Sequence, residues 1–219
     1  MMRFTDTLVK TYEKYAHERA SHSPDEFKVQ ERSEFLKLLK AEGRETLLEI
    51  GCGHGQDAQF FQSQGFRVLA VDNTPAMVKL TAEKGVPAQV LDCYDLGEIN
   101  ECFDAVYTMN CLLHIPKRDI DQVLRLISGR LNENGLMYLG IWGDQDFEGI
   151  WEHDRYEPKR FFSFWKTEAL LEVLQRSVIV DSIITWTFNI GSVRKPNLPG
   201  VESVNLFFDF TINWSITGD

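Results

Sequence analysis

Residues Leu47-Leu48-Glu49-Ile50 form a short apolar run that stops in Gly51-Cys52-Gly53-His54-Gly55, and Gln56-Asp57-Ala58-Gln59-Phe60-Phe61 then opens a helical pattern. A strand, a turn almost free of side chains and a helix start make the first half of a nucleotide-binding βαβ unit. Glycine reaches left-handed dihedrals that other residues avoid, and it lets a ligand lie against the main chain. The remaining sequence must therefore supply further parallel strands and the helices that cross between them.

It does so in strict alternation. Thr46–Ile50 predicts a strand, Gln56–Gln64 a helix stopped by Gly65, and Arg67–Asp72 a second strand. Thr74 as cap and Pro75 in the first turn predict a helix to about Lys84. Gln89–Asp92 and Phe103–Met109 read as strands three and four. Asp119–Leu131 reads as a helix, with Ile120, Val123, Leu124 and Ile127 near a 3.6-residue period. Asn134-Gly135 turns into a fifth strand, Leu136–Trp142. Right-handed crossovers place all the strand ends on one edge, where ligands bind. Gly51–Gly55, Asp72, Asp92 and Asn110 all fall there.

Two helices precede this unit. Phe4, Leu8, Tyr12 and Tyr15 recur at helical spacing, Ser21 to Asp25 interrupts, and Phe27–Lys40 follows with Phe35, Leu36 and Leu39 on one face, ending near Gly43. After the fifth strand the chain changes character. Gly143 to Phe164 interleaves aromatics and charges, Thr167–Arg176 reads as a helix, Val178–Trp186 as a strand, and Val201 to Ile216 alternates like another strand. The expected organisation is a helical cap at 1–43, a ligand-binding domain at 44–196 and an extension at 197–219, an edge strand or a dimer arm.

Composition narrows the partners. A net charge of -10 argues against a nucleic-acid backbone, which needs clustered Lys and Arg. Met1 to Lys10 lacks the apolar core of a signal peptide, and no run reaches membrane-spanning length. Cys52, Cys93, Cys102 and Cys111 form no Cys-x-x-Cys pair; buried reduced thiols, no metal site and a cytoplasmic setting are expected.

The acids select the nucleotide. A dinucleotide fingerprint places its third glycine one residue later than Gly55, and Glu49 beside the turn would repel a pyrophosphate and attract a cation. Asp72 is placed to accept both ribose hydroxyls and Asp92 the adenine amino group. These residues favour a cationic, phosphate-free adenosyl ligand such as S-adenosylmethionine.

Glu49-x-Gly51-x-Gly53-x-Gly55 resembles the first motif of the class I S-adenosylmethionine-dependent methyltransferases. Asp72 with Asn73 and Met77, Asp92-Cys93, Phe103-Asp104-Ala105-Val106, Leu112-Leu113-His114-Ile115-Pro116 and Arg130 to Leu136 resemble its later motifs in order. Val29-Gln30-Glu31-Arg32, Gly55-Gln56-Asp57 and Tyr156 to Phe164 are similar to stretches of small bacterial methyltransferase-domain proteins. The resemblance spans roughly Val9 to Pro196. It implies a Rossmann-like, doubly wound α/β fold: a mostly parallel seven-stranded sheet, helices on both faces and an antiparallel C-terminal strand. It also implies that Glu49, Gly51, Gly53, Gly55, Asp57, Asp72, Asn73, Met77, Asp92, Cys93, Asn110 and Tyr15 hold the cofactor.

Methyl transfer to a small-molecule acceptor is then an in-line displacement in which the protein positions the partners and excludes water. His114, just past the fourth strand, is the candidate general base, with packing under Pro116 as the plainer alternative. Tyr12, Tyr15 and Arg19 are candidates for an N-terminal flap, although an aromatic stripe also suits helix packing. Gln30 and Arg32 fit a solvated face. Trp151 to Phe164 fits an acceptor lid as well as an anchored surface loop, with Lys159 and Arg160 able to hold an acidic acceptor. A non-catalytic cofactor-binding module and a nicotinamide-dependent oxidoreductase are the competing readings, and a homodimer is left open.

Overall fold

A computed structural model describes residues 4–143 and 145–177, together with the main chain of 183–187 and 202–210. Helices α1 (Phe4–Ala20) and α2 (Glu26–Ala41) lead into the alternating unit: β1 (Thr46–Ile50), α3 (Gln56–Ser63), β2 (Arg67–Asp72), α4 (Pro75–Glu83), β3 (Ala88–Val90), β4 (Phe103–Met109), α5 (Ile120–Ser128) and β5 (Leu131–Gly143). A hairpin of β6 (Phe147–Ile150) and β7 (Phe161–Phe164) follows, then α6 (Thr167–Ser177), β8 (Ile183–Thr187) and β9 (Glu202–Phe210). The main sheet runs β3-β2-β1-β4-β5-β9-β8. Strands β1 to β5 pair in parallel, and β9 pairs antiparallel with both β5 and β8. No described helix is long and apolar enough to cross a membrane.

The sheet is buried on both faces because its strands carry apolar residues at odd and even positions alike. Leu48, Ile50, Val71, Val106 and Leu139 face one core with α5 and α6; Leu47, Ala70, Tyr107 and Tyr138 face another with α2 and α3. Ile120, Val123, Leu124 and Ile127 of α5 are at most 1% exposed. Burying four such side chains contributes about 6–12 kcal/mol before the entropy of ordering is subtracted. On the opposite face Tyr107 stacks on Tyr138 at 4.5 Å, and Phe35 of α2 packs on both.

Several expectations need correction. Thr74 stands at the N-terminus of α4, but its hydroxyl turns to Asn73 Oδ1 and does not cap the helix; the Thr74 N–H is instead accepted by Asp72 Oδ1 at 2.9 Å. Asn134-Gly135 does not precede β5. It lies in an irregularity where the register shifts between the Phe103–Leu131 and Ala105–Leu136 pairs. The extension is no edge strand: β9 lies inside the sheet, between β5 and β8, so 196 is not a boundary in the sheet. Residues 197–201 and 211–219, with any dimer arm they would form, lie outside the described residues. Cys102 is exposed, whereas Cys52 and Cys93 are buried; all four thiols are free.

Candidate active site

Two of the turn's glycines are required by their surroundings. Gly51 has φ 73, and a β-carbon there would lie 2.4 Å from Cys111 Sγ. Gly55 has φ 76, and its β-carbon would meet Thr81 at 2.6 Å. Gly53 differs, since a β-carbon there would project into open space. That space belongs to a cavity over the carboxyl ends of β1, β2 and β4.

Of the expected residues, Gly51, Gly53, Asp72, Asn73, Asp92, Cys93, Asn110 and His114 line this cavity. Asp72 Oδ2 accepts the Gly53 N–H at 2.9 Å, which ties the second strand's end to the turn. Asn73 Nδ2 donates to Asp92 Oδ2 at 3.4 Å, and Asp92 Oδ1 accepts the Tyr94 N–H. Asn110, at φ 54, keeps a buried Oδ1 without a partner. Two carboxylates, an unpaired amide oxygen and a side-chain-free turn fit a ligand rich in hydroxyl and amino donors.

Glu49, Gly55, Asp57, Met77 and Tyr15 stand outside the lining. Glu49 shares the Leu47 side of β1, so strand alternation turns it toward α2 and α3. There it accepts the Ala58 N–H, and burial, with Asp57 close by, pushes its carboxyl well above the ordinary range. Asp57 is paired at 2.8 Å with Arg32, whose guanidinium lies 4.1 Å from the Phe60 ring centre. Arg32 is therefore no solvated residue, whereas Gln30 is exposed. Met77 is packed in α4, and Tyr15 lies against Tyr156, ring centres 4.5 Å apart.

This buried group gives a pH dependence. Glu31 accepts the Tyr138 hydroxyl at 2.6 Å, and burial raises its carboxyl from 4.5 to about 7. A carboxyl raised in the folded state contributes stability that is present below pH 4.5 and is lost as pH rises through 7. Glu31→Gln is expected to flatten that fall by about 1–3 kcal/mol in urea unfolding followed between pH 4.5 and 8. Equal pH slopes in both proteins would refute the assignment.

Helix α1 roofs the cavity with Thr5, Leu8, Tyr12 and Arg19, spaced to share one helical face. Of the flap candidates Tyr12, Tyr15 and Arg19, the first and last line the cavity; Thr5 and Leu8 were not among the candidates, though their spacing was readable. The helix is moored at both sides: Glu13 Oε1 accepts the Ala76 N–H at 2.7 Å, and Thr11 and Lys14 donate to the carbonyls of Pro158 and Glu157. Arg19 lies over the Tyr12 and Tyr156 rings at 5.0 and 5.7 Å.

The polar centre under α1 is a chain of hydrogen bonds. Arg160 Nη1 donates to the Tyr12 oxygen at 2.8 Å, and Tyr12 lies 2.8 Å from His114 Nε2. His114 Nδ1 lies 2.7 Å from the Phe161 carbonyl. A carbonyl only accepts, so Nδ1 carries the hydrogen and Nε2 takes the Tyr12 proton. Burial and the Arg160 cation hold the imidazole down, to about 3. Arg160 is not free for an acidic acceptor. Its Nε and Nη2 donate to Asp154 Oδ2 and Oδ1, both at 2.8 Å, and Asp154 also accepts the Arg160 N–H. Lys159 is turned to the Glu152 carbonyl.

Residues 47–135 match the family model described as a methyltransferase domain. The 18S rRNA (guanine-N(7))-methyltransferase bud23 of Schizosaccharomyces pombe is 40% identical over 63 residues, 28% of this chain and 23% of that protein. An uncharacterized methyltransferase of Alkaliphilus oremlandii is 26% identical over 149 residues, 66% of each chain. The matched span is thus as little as 23% of a curated relative's length. Among solved structures, the 1,6-didemethyltoxoflavin-N1-methyltransferase of Burkholderia thailandensis superposes with a TM-score of 0.70 at 20% identity, over 95% of this chain and 89% of that one.

Proposed function

We propose that this chain, whose residues 47–135 match the methyltransferase-domain model, is a class I S-adenosylmethionine-dependent methyltransferase that transfers a methyl group from that cofactor to a small-molecule acceptor. The observation that carries the reading is the juxtaposition of open Gly53, Asp72, Asp92 and Asn110 in one cavity. Asp72 would take the ribose hydroxyls and Asp92 with Asn110 the polar edge of the adenine, while Arg19 and Lys28 of α2, which also lines the cavity, would meet the methionine carboxylate. S-adenosylmethionine supplies, when bound, a methyl group activated by its sulfonium.

The chain's own residues then position, shield and accept a proton. Helix α1 closes the cavity to water, which strengthens the electrostatic contacts within it. An acceptor that keeps its proton until attack meets the Tyr12 oxygen. That oxygen takes the proton while the Tyr12 hydrogen passes to His114 Nε2; burial and the Arg160 cation make this imidazole a weak base, so the transfer accompanies methyl transfer and does not precede it. His114 thus acts through Tyr12, not directly as the sequence suggested. The small-molecule reading is supported by the acidic charge and by the toxoflavin-type neighbour, whose structure holds a small acceptor and S-adenosylhomocysteine. The free thiols suit a cytoplasmic setting.

Calorimetry tests the reading. Asp72→Ala is expected to weaken S-adenosylmethionine binding by about 1–3 kcal/mol, the cost of leaving buried polar partners unpaired. Wild-type protein that binds none at millimolar concentration would end it. A non-catalytic binding module is the second reading, favoured because both His114 nitrogens are already engaged. Acceptor-dependent release of S-adenosylhomocysteine from a metabolite pool would remove it. The nicotinamide-dependent reading falls with the family assignment.

A further inference from the structure

We propose that Asp154 and Arg160 are positioning residues, a buried ion pair that holds the Tyr12 oxygen in line with His114 and leaves that oxygen one lone pair for the cavity. The inference rests on the methyl-transfer reading for its kinetic consequence but not for its structural one.

Arg160 can only donate and keeps its proton at any working pH. The Phe161 carbonyl can only accept. Between them, Tyr12 must accept from Arg160 and donate onward, and His114 must carry its hydrogen on Nδ1. One Tyr12 lone pair is left for a proton arriving from the cavity. Without Arg160, the Phe161 carbonyl would still set the direction at His114, but Tyr12 would keep two free lone pairs and lose the donor that fixes the place of its oxygen.

Placing a cation there requires a counter-charge. Arg160 is enclosed by the rings of Tyr12, Tyr156 and Phe162, with its guanidinium 4.8–5.2 Å from their centres. The Asp154 side chain is 2% exposed and engages the guanidinium through both oxygens. Bidentate geometry fixes the plane of the fork, and that plane sends Nη1 to Tyr12. The charged groups acting on His114 are Arg160 and Asp154 from the β6–β7 loop and Arg19 from α1. Burial is the first cause of the ring's neutrality; Arg160 and Arg19 add to it and Asp154 works against it.

The test removes the pair together, so that no charge is stranded: Arg160→Met with Asp154→Asn, beside Arg160→Lys, which keeps a charge but not the fork. With a turned-over acceptor, kcat is expected to fall by about tenfold to a hundredfold, the scale of a misplaced catalytic group, while KM for S-adenosylmethionine stays within about twofold. NMR of the His114 ring nitrogens, which needs no acceptor, gives the second readout. Wild-type His114 should stay neutral down to pH 5, and in the double variant, where burial remains and the Arg160 cation is gone, its titration should move upward. Arg160→Lys should show the same kinetic sense with a smaller loss, and it stands in if the double variant does not fold. Unchanged kcat together with an unchanged His114 titration would overturn the proposal. A wild type that binds no S-adenosylmethionine but shows the expected titration would instead overturn the methyl-transfer reading and leave the positioning in place.

Discussion

Gly51→Ala is expected to destabilise the protein by about 2–5 kcal/mol and to abolish S-adenosylmethionine binding. The range joins two costs: about 1–2 kcal/mol for holding a non-glycine residue in the left-handed region, and about 1–3 kcal/mol for overpacking. The new methyl would sit 2.4 Å from Cys111 Sγ and 2.5 Å from its Cβ, so the start of the loop after β4 must move. Asn110 and Cys111 both line the cavity, and the displacement therefore reaches the ligand. Gly53→Ala is the control, because its β-carbon meets nothing within 4 Å. It should lose only the about 1–2 kcal/mol of holding a non-glycine residue at φ 53, without the overpacking, and still lose affinity. Denaturant unfolding and calorimetry on both variants check this. A Gly51→Ala protein with wild-type stability would show that the β1–β4 approach is looser than described.

Asp154→Ala should be as damaging, at a site with no cofactor motif. Removing one member of a buried ion pair strands the other and costs about 3–5 kcal/mol. Here Arg160 would be left at 11% side-chain exposure among three aromatic rings, and the Tyr156 and Arg160 N–H groups would lose their acceptor. The thermal midpoint should drop by many degrees, and the double substitution with Arg160→Met should recover part of the loss. Equal stability of Asp154→Ala and wild type would mean that water reaches Arg160.

The parallel core was legible because its signals are local. The strands β1, β2 and β4 stand where the apolar runs put them, and Gly65 and Gly85 stop the helices before β2 and β3. The β6–β7 hairpin was not, since Phe147–Ile150 and Phe161–Phe164 are four residues each and their partners lie across a ten-residue loop. In the site, the strand-end residues Asp72, Asp92 and Asn110 could be read from topology alone. Glu49 could have been placed correctly by parity, since a strand puts it on the Leu47 side. The Tyr12–His114–Arg160 chain joins residues separated by 102 and 148 positions. No spacing rule connects such residues; only the packing of α1 against the β6–β7 loop does.

The position of β9 has a consequence for synthesis. It is the last described strand to be made, yet it fills the place between β5 and β8. Until residues 202–210 emerge, the far side of β5 has no partner along the register from Met137 to Gly143, and β8 has none to hold it to the sheet. A ribosome-bound chain that already displays the complete glycine turn thus presents an open, adhesive strand edge. Such a nascent chain depends on rapid completion, or on a chaperone, to avoid pairing with its neighbours.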